Sequence, residues 1–377
     1  MHYLDYAATT PVAPAVAAAM MDVLTKHYAN PSSQYSAGRA ARDLVEESRA
    51  TIAKALGCKS DQLHFTSGGT ESDNWAIRAA LHQNRRVGKH IITTAVEHSA
   101  IMNLMKALEQ DGYTVTYLKP DRAGRINVQQ VADALQENTV LVSMMLVNNE
   151  TGVRYPVDEV AALLRVRQHP ALLHTDAVQA FLEVPFTAKN LGADLISISA
   201  HKIGGPKGIG ALYAGSRIKK PQPMFYGGGQ ESGLRAGTEP VAQIVGFAKA
   251  VEYRWEHLSD ILSHVGSLRN YALDRLAAIP DLEVVGRGDA PHILSVSLPG
   301  YPSQNIVSEL DARGIYVSAG SACHKGKVSH VLSAMGLDKR TASGTIRISF
   351  GEDTTRGNID ALYVALLLHK TSRYPML

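Results

Sequence analysis

Two neighbouring segments of the chain decide its fold: residues 172–179 read LLHTDAVQ, and residues 195–208 read LISISAHKIGGPKG. Each begins with a short apolar run and continues into a charged residue, Asp176 in the first and Lys202 in the second. Short, uniformly apolar runs are typical of strands in a parallel sheet that is covered on both faces. Ligands of open α/β sheets bind beyond the carboxyl ends of the strands. The two segments therefore predict an α/β fold in which Asp176 and Lys202 face one crevice.

Further apolar runs upstream alternate with segments of helical periodicity, which predicts a mainly parallel sheet. The strand-like runs are residues 63–65, 90–93, 114–117 and 140–144, and the helical segments between them are residues 71–84, 99–111, 128–136 and 157–168. Near Pro240 the pattern changes to one long helical stretch at 241–276, followed by strand signals at 282–285, 293–298, 314–317 and 345–350. We predict a large domain over residues 12–250 and a smaller α+β domain from residues 1–11 with 251–377.

Composition narrows the possible classes of protein. The 377 residues are 45% hydrophobic and 19% charged, with 38 Lys and Arg against 35 Asp and Glu. This balance gives no reason to expect a nucleic-acid surface or a basic membrane anchor. The only cysteines, Cys58 and Cys323, form neither a disulfide framework nor a Cys-x-x-Cys metal pair. With no basic leader and no apolar run of ~20 residues, we expect a cytoplasmic protein without a metal site.

Residues 65–72, FTSGGTES, connect a strand to a helix through two glycines. Backbone N–H groups at the start of a helix form an anion site, helped by the helix dipole. The alternative is an ordinary tight connection capped by Ser67 or Thr70. The segment has neither the Gly-Lys-Ser/Thr of a Walker loop nor the Gly-x-Gly-x-x-Gly spacing of dinucleotide-binding proteins. The anion predicted here is therefore neither ATP nor NAD.

Asp176 and Lys202 together favour pyridoxal phosphate as the cofactor. This cofactor requires a carboxylate beside its pyridinium nitrogen and a lysine that forms a Schiff base. Taken separately, Asp176 is better explained as a helix cap and Lys202 as a solvated loop residue. Both side chains at neighbouring strand ends, with an anion cradle upstream, favour the cofactor.

The chain resembles the cysteine desulfurases of the NifS/IscS type, which belong to the class V aminotransferase group of fold type I pyridoxal-phosphate enzymes. The motifs that carry the resemblance are YLDYAATTP (3–11), TSGGTESDN (66–74), VEH (96–98), NNETGV (148–153), HTD (174–176), SAHK (199–202), GGGQE (227–231), RAGT (235–238), SAGSAC (318–323) and TIR (345–347). They span nearly the whole chain in order. The resemblance implies a seven-stranded main sheet and conversion of L-cysteine to L-alanine.

Carried over by motif, the resemblance assigns cofactor roles to five residues. Lys202 would hold pyridoxal phosphate and move the substrate Cα proton, while Asp176 would keep the pyridine nitrogen protonated. Gln179 would hydrogen-bond the ring's phenolic oxygen, with Asn149 beside it. His98 would stack on the ring and take part in proton transfer. Without the surrounding motifs, His98 would be interpreted as an ordinary polar residue after a strand.

The resemblance also implies which residues bind the cofactor phosphate. They are Gly69, Thr70, Ser199, His201 and Thr238. In this family the threonine of the Arg-x-Gly-Thr motif comes from the second subunit, so a homodimer is implied, with Thr238 crossing its interface.

Arg347, with Asn149, would bind the substrate α-carboxylate, because a planar guanidinium forms bidentate pairs with carboxylates. The alternative is a charge at a strand edge within the apolar run 346–348. An inward-facing arginine would need a partner, which favours the binding role.

Cys323 is the implied sulfur acceptor, and the basic residues His324, Lys325 and Lys327 follow it. Basic surroundings favour the thiolate, which is the nucleophile. Its attack on the substrate sulfur would leave a Cys323 persulfide and release alanine. The sulfur would then pass to an acceptor protein, either an iron–sulfur scaffold or a tRNA-thiolation enzyme. We interpret Cys58, which follows Ala55-Leu56-Gly57, as a buried structural thiol.

Three departures from the family pattern stand out. Gly69 replaces a common alanine, Gly204 replaces a frequent tyrosine, and the usual Thr-Ser after Cys323 is missing. The last suggests a dedicated sulfur acceptor. Two other functions stay open at this point: another class V activity, such as selenocysteine lyase or aminotransferase, and a non-catalytic scaffold. The presence of both Lys202 and Cys323 argues against an aminotransferase and against a scaffold.

Overall fold

The computed structural model describes residues 1–219, 221–286, 288–320, 328–373 and 375. Its strands are β1 (His2–Tyr3), β2 (Leu63–Thr66), β3 (His90–Thr94), β4 (Thr114–Leu118), β5 (Thr139–Ser143), β6 (Leu172–Asp176), β7 (Leu195–Ser199), β8 (Gly210–Ala214), β9 (Glu283–Val285), β10 (Ile293–Ser297), β11 (Ile315–Tyr316), β12 (Ser318–Ala319) and β13 (Thr345–Ser349). Its α-helices are α1 (Pro14–Lys26), α2 (Ser36–Leu56), α3 (Gly69–Gln83), α4 (Ser99–Gln110), α5 (Val128–Ala134), α6 (Val157–Val166), α7 (Ala188–Leu191), α8 (Val241–Glu256), α9 (Leu258–Leu276), α10 (Ser303–Asp311), α11 (His330–Ala334), α12 (Lys339–Ser343) and α13 (Arg356–Ser372).

The main sheet contains seven strands within the described residues, in the order β2-β8-β7-β6-β5-β3-β4. Every neighbouring pair is parallel except β2–β8 and β7–β8, so β8 alone runs against the others. Alternate side chains of a strand point to opposite faces. In β7, Leu195 accordingly joins one apolar cluster and Ile196 joins another, and both are fully buried. The predicted α/β fold with a mainly parallel seven-stranded sheet is confirmed.

A smaller sheet follows in the order β12-β13-β10-β9, with antiparallel pairing throughout. The N-terminal strand β1 pairs in parallel with β11, which carries the start of the chain to this part of the molecule. A separate apolar cluster forms here and includes Leu4, Val265 and Ile346. The predicted smaller α+β unit is consistent with this arrangement. Its boundaries at residues 11 and 250 stay a prediction.

Two features of the fold differ from the sequence-based prediction. Strand β8 was not anticipated, because its sequence GALYA is rich in small residues and follows a glycine-rich turn. The single helix predicted at 241–276 is two helices, α8 and α9, that meet at His257. The backbone of His257 has φ −107° and ψ 11°, outside helical geometry, and its ring Nδ1 lies 2.8 Å from the Tyr253 carbonyl oxygen. None of the helices in the described part of the chain is long and apolar enough to cross a membrane.

A buried ion pair holds the glycine-rich segment before α8 against the main sheet. Glu231 accepts hydrogen bonds from both terminal nitrogens of Arg49, each at 2.8 Å, and from the backbone N–H of Phe65 at 2.9 Å. Arg49 is 8% exposed and Glu231 is 7% exposed. A buried pair of this geometry costs little while intact, but removing one member leaves the other charge without its partner. This pair therefore anchors the segment of residues 227–238 to α2 and β2.

Replacing Glu231 with alanine should lower the free energy of unfolding by roughly 3–5 kcal/mol, because the buried Arg49 guanidinium loses its main partner. Chemical denaturation of the variant and the parent protein measures the difference. The matched control is Glu252→Ala, which removes the exposed partner of Lys249 and should cost no more than about 1 kcal/mol. Equal losses in the two variants would show that the Arg49–Glu231 pair is not important for stability.

Candidate active site

Lys202 lies in the turn after β7, with its amine enclosed by the N-terminal segment. Its Nζ donates hydrogen bonds to the carbonyl oxygens of Ala7 at 2.6 Å and Ala8 at 2.9 Å. Burial, followed by the charge of Arg347, lowers the pKa of Lys202 to about 8. Such an amine is partly neutral near neutral pH, as a lysine nucleophile must be.

Asp176 ends β6 at the same edge of the sheet, as the sequence predicted. It is 6% exposed, and its Oδ1 accepts a hydrogen bond from the Val178 N–H at 2.8 Å. Burial, followed by the negative charge of Asp73, raises the pKa of Asp176 to about 7. A nearby cation is needed to make the ionised form favourable here.

A polar network lies beneath Asp176. His174, on the same strand face, places its Nδ1 2.9 Å from Ser143 Oγ and its Nε2 3.1 Å from Ser197 Oγ. The same Nε2 is 3.5 Å from Asp73 Oδ1. Burial lowers the pKa of His174 to about 4 and raises that of Asp73 to about 7. His174 is thus a neutral ring at physiological pH.

His98 caps the N-terminus of α4, where its Nδ1 accepts the Ala100 N–H at 3.2 Å. This contact assigns the proton of the neutral ring to Nε2. Partial burial lowers the pKa of His98, and the charges of Lys202 and His330 act in the same direction, while Asp176 opposes them. His98 and Lys202 therefore lie close enough to Asp176 to influence its charge.

The start of α3 is where the sequence predicted an anion cradle. Gly68 stands at the N-cap without a side-chain cap, so the first N–H groups of the helix have no side-chain acceptor there. Its φ of +149° favours glycine, and a Cβ at this position would meet nothing within 4 Å. At Gly69 a Cβ would lie 2.7 Å from a methyl carbon of Val178. Glycine rather than alanine at position 69 therefore leaves room for the Val178 side chain.

Arg347 projects from β13 and is 9% exposed. It donates hydrogen bonds to the Asn149 carbonyl oxygen at 2.8 Å, to Asp5 Oδ1 at 2.9 Å and to Ser318 Oγ at 3.0 Å. Its Nε is buried without a partner among the described residues. The expectation that an inward-facing arginine needs a partner holds, and that partner is Asp5.

Of the remaining residues predicted to bind the cofactor, some form hydrogen bonds within the protein, one is buried at the end of a strand and two are exposed. Gln179 donates to the Ala7 carbonyl oxygen at 2.8 Å, and His201 Nδ1 lies 3.1 Å from Thr9 Oγ1. Ser199, at the end of β7, is buried. Thr70 and Thr238 are exposed. The roles assigned to these five residues stay predictions.

Cys323 lies outside the described residues. Cys58, the other cysteine of the chain, is partly buried, and burial raises the pKa of its thiol to about 12. It is therefore unsuited to thiolate chemistry. In the described part of the chain, no group of three or more His, Cys, Asp or Glu side chains is arranged to hold a metal ion.

Sequence reasoning missed the contacts made by the first ten residues. Asp5 binds Arg347, while the carbonyl groups of Ala7 and Ala8 accept from Lys202. It also missed Asp73, which perturbs Asp176 from the neighbouring helix. Asp5 and Asp73 both lie inside motifs that carried the family resemblance, which was the available signal. Every residue has a backbone carbonyl group, so the residue types of the sequence do not show which carbonyl oxygens will accept a hydrogen bond.

Comparison with known proteins gives the family. The model of the family described as aminotransferase class-V matches residues 2–362. The cysteine desulfurase IscS of Clostridium botulinum is 40% identical over 375 residues, which cover 98% of this chain and 93% of that protein. A solved NifS-like protein is 35% identical, with a TM-score of 0.92 over 98% of this chain and 99% of its own. A structure titled SspA in complex with cysteine is 33% identical, with a TM-score of 0.80 over 94% of this chain and 100% of its own. The chain belongs to the class-V aminotransferase family.

Proposed function

We propose that this protein is a pyridoxal-phosphate-dependent cysteine desulfurase, which converts L-cysteine to L-alanine and transfers the sulfur to Cys323. The observation that carries the proposal is the partly buried amine of Lys202, with a pKa lowered to about 8, which follows β7 while the buried carboxylate of Asp176 ends the neighbouring strand β6. The relatives named as cysteine desulfurases, similar over nearly the whole chain, support the substrate.

The residues of the crevice fit the cofactor. The open start of α3 suits its phosphate, with Gly69, Thr70, Ser199 and His201 around it. Asp176 suits a protonated pyridine nitrogen, because a buried carboxylate with raised pKa gains most from a cationic partner. Lys202 Nζ would hold the aldehyde carbon, and Gln179 and Asn149 would border the ring. When bound, pyridoxal phosphate supplies an electron sink for the substrate carbon atoms.

Proton transfer is the part of the reaction that the protein's own groups perform. Lys202, whose pKa is lowered to about 8, can accept the substrate Cα proton and return it. His98 carries its proton on Nε2 while Nδ1 is held by the Ala100 N–H. Its lowered pKa keeps the ring neutral, so the Nε2–H is left to act as a proton donor. These two groups provide the acid and base of the proposed reaction.

Substrate orientation would depend on Arg347. The guanidinium is buried on β13 beside the Asn149 carbonyl group, which keeps the fork in one position. A planar guanidinium binds a carboxylate bidentately. This contact would fix the α-carbon of L-cysteine over the cofactor site.

Sulfur transfer would end on Cys323. The Cβ–S bond of the substrate breaks as the Cys323 thiolate forms an S–S bond, and the electron pair left on carbon is protonated to give alanine. The assignment of this step to Cys323 follows from the chain's cysteine content, because the raised pKa of Cys58 disfavours its thiolate. The persulfide would then pass to an acceptor protein, in iron–sulfur cluster assembly or thiolation.

The proposal includes a homodimer and a cytoplasmic location. The exposed Thr238 follows the anchored segment at Glu231 and Arg235, and Arg235 Nε lies 2.9 Å from Glu71 Oε1. Glu71 also accepts the Ser67 N–H, at 2.9 Å. Thr238 is therefore tethered near the anion cradle yet exposed, which suits a residue contributed to the neighbouring subunit's phosphate site.

Replacing Cys323 with alanine should abolish sulfide release and persulfide formation from L-cysteine, while the cofactor absorbance stays unchanged, because the thiol is not part of the proposed cofactor site. Sulfide assay under reducing conditions and mass spectrometry of the protein check both parts. Cys58→Ala is the matched control and should retain turnover within about twofold, given its raised thiol pKa. Undiminished turnover in the Cys323 variant would contradict the proposal.

The lowered pKa of Lys202 predicts a pH dependence in the protein without cofactor. A lowered pKa means that the neutral, reactive amine is lost as pH falls through about 8. Competitive acetylation followed by mass spectrometry should therefore show Lys202 labelling rising with pH and levelling off above about 8. Arg347→Gln removes a positive charge that lowers this pKa, so its midpoint should lie higher. A Lys202 midpoint near 10.5, the ordinary value, would show that the amine is not perturbed.

A further inference from the structure

The side chains of Arg347, Asp5 and Ser318 form a closed triangle of hydrogen bonds at the edge of the candidate site. Arg347 Nη2 lies 2.9 Å from Asp5 Oδ1 and 3.0 Å from Ser318 Oγ, and Ser318 Oγ donates to the same Asp5 oxygen at 2.8 Å. All three residues are at least half-buried. Asp5 thus supplies a carboxylate to the group that is proposed to bind the substrate carboxylate.

The way in which Asp5 binds leaves the guanidinium incompletely satisfied. Nε and Nη2 of an arginine present two parallel N–H bonds on one side of the fork, which match the two oxygens of one carboxylate. Asp5 contacts only Nη2, through a single oxygen, whereas Nε is buried and has no partner among the described residues. A carboxylate that engages both nitrogens would form the stronger contact, and it would need the position of Asp5.

Asp5 is held in this position by its backbone. Its carbonyl oxygen accepts the Ala8 N–H at 2.9 Å, and its backbone bridges to Ser349. The neighbouring Leu4 N–H donates to the Tyr316 carbonyl oxygen at 2.9 Å. The side chain can therefore change its partner, or be replaced, without detaching the N-terminal segment.

We propose that Asp5 is a specificity-determining residue, an internal carboxylate that occupies Arg347 and that the substrate α-carboxylate must displace. This inference rests on the proposed function. Displacement leaves Ser318 Oγ without its acceptor on Asp5, and Ser318 is the cross-strand neighbour of Arg347 in the β12–β13 pair. Ser318 precedes Cys323 by only a few residues in the chain. Binding of the substrate carboxylate thereby changes a hydrogen bond of Ser318 in β12, the strand that precedes the proposed acceptor Cys323 in the sequence.

If Asp5 competes with the substrate carboxylate for Arg347, the variant Asp5→Asn should lower the KM for L-cysteine rather than raise it. The amide keeps the shape but loses the negative charge, so it competes less well for Arg347. The KM for L-cysteine should fall about three- to tenfold in the holoenzyme, and so should the inhibition constant of 3-mercaptopropionate, which has a carboxylate but no amine. The inhibition constant of cysteamine, which has the amine and thiol but no carboxylate, should change by less than about twofold. Steady-state kinetics with the two inhibitors measures all three quantities.

Asp22→Asn is the matched control, since it neutralises an exposed aspartate paired with Lys26, and it should leave all three constants unchanged. A raised KM in Asp5→Asn would overturn the proposal, because it would mean that Asp5 only positions Arg347. An unchanged KM, or an equal change for cysteamine, would overturn it as well. The wild-type enzyme separates this from the proposed function: absence of any L-cysteine turnover there would reject the function, whatever the variant does.

Discussion

The partial burial of the Lys202 amine is the constraint on which the rest of the site depends. An ammonium group out of water needs acceptors or opposite charge. The structure supplies the Ala7 and Ala8 carbonyl groups, at 2.6 and 2.9 Å, from the far end of the sequence. These contacts require the N-terminal segment to cross from β1, in the smaller sheet system, to the end of β7 in the main sheet. The candidate site thus depends on a long-range connection between the N-terminal segment and the main sheet.

The other charged residues of the site also influence the charge of Lys202, directly or through one another. Arg347 lowers the pKa of Lys202, and Arg347 is itself paired with Asp5. Asp176 opposes the effect of Arg347 on Lys202, yet Asp73 raises the pKa of Asp176. The pKa of Lys202, lowered to about 8, and the pKa of Asp176, raised to about 7, therefore both lie near physiological pH. Perturbed pKa values of this kind are common at functional sites because acids and bases act best near the working pH.

The sequence predicted those parts of the site that depend on strand order. Asp176 ends β6 and Lys202 follows the neighbouring parallel strand β7, and apolar runs reveal such strands through residue type alone. Strand β8 escaped because small residues carry little strand signal, and the break at His257 escaped because no glycine or proline marks it. Asp5 and Asp73 escaped for a different reason. Their importance comes from which side chain they meet across the fold, and pairings between distant residues are not encoded in local pattern.

The buried carboxylates of the site would suit the cationic ring of the proposed cofactor. Asp73, Glu97 and Asp176 are almost fully buried, and burial raises the pKa of each. One oxygen of Asp73 and one of Glu97 have no hydrogen-bond partner among the described residues. Without a nearby cation, ionising these acids destabilises the fold, because their mutual repulsion adds to the cost of desolvation. A protonated pyridine nitrogen beside Asp176 would offset both effects, so the same carboxylates that weaken the protein alone would strengthen its hold on the proposed cofactor.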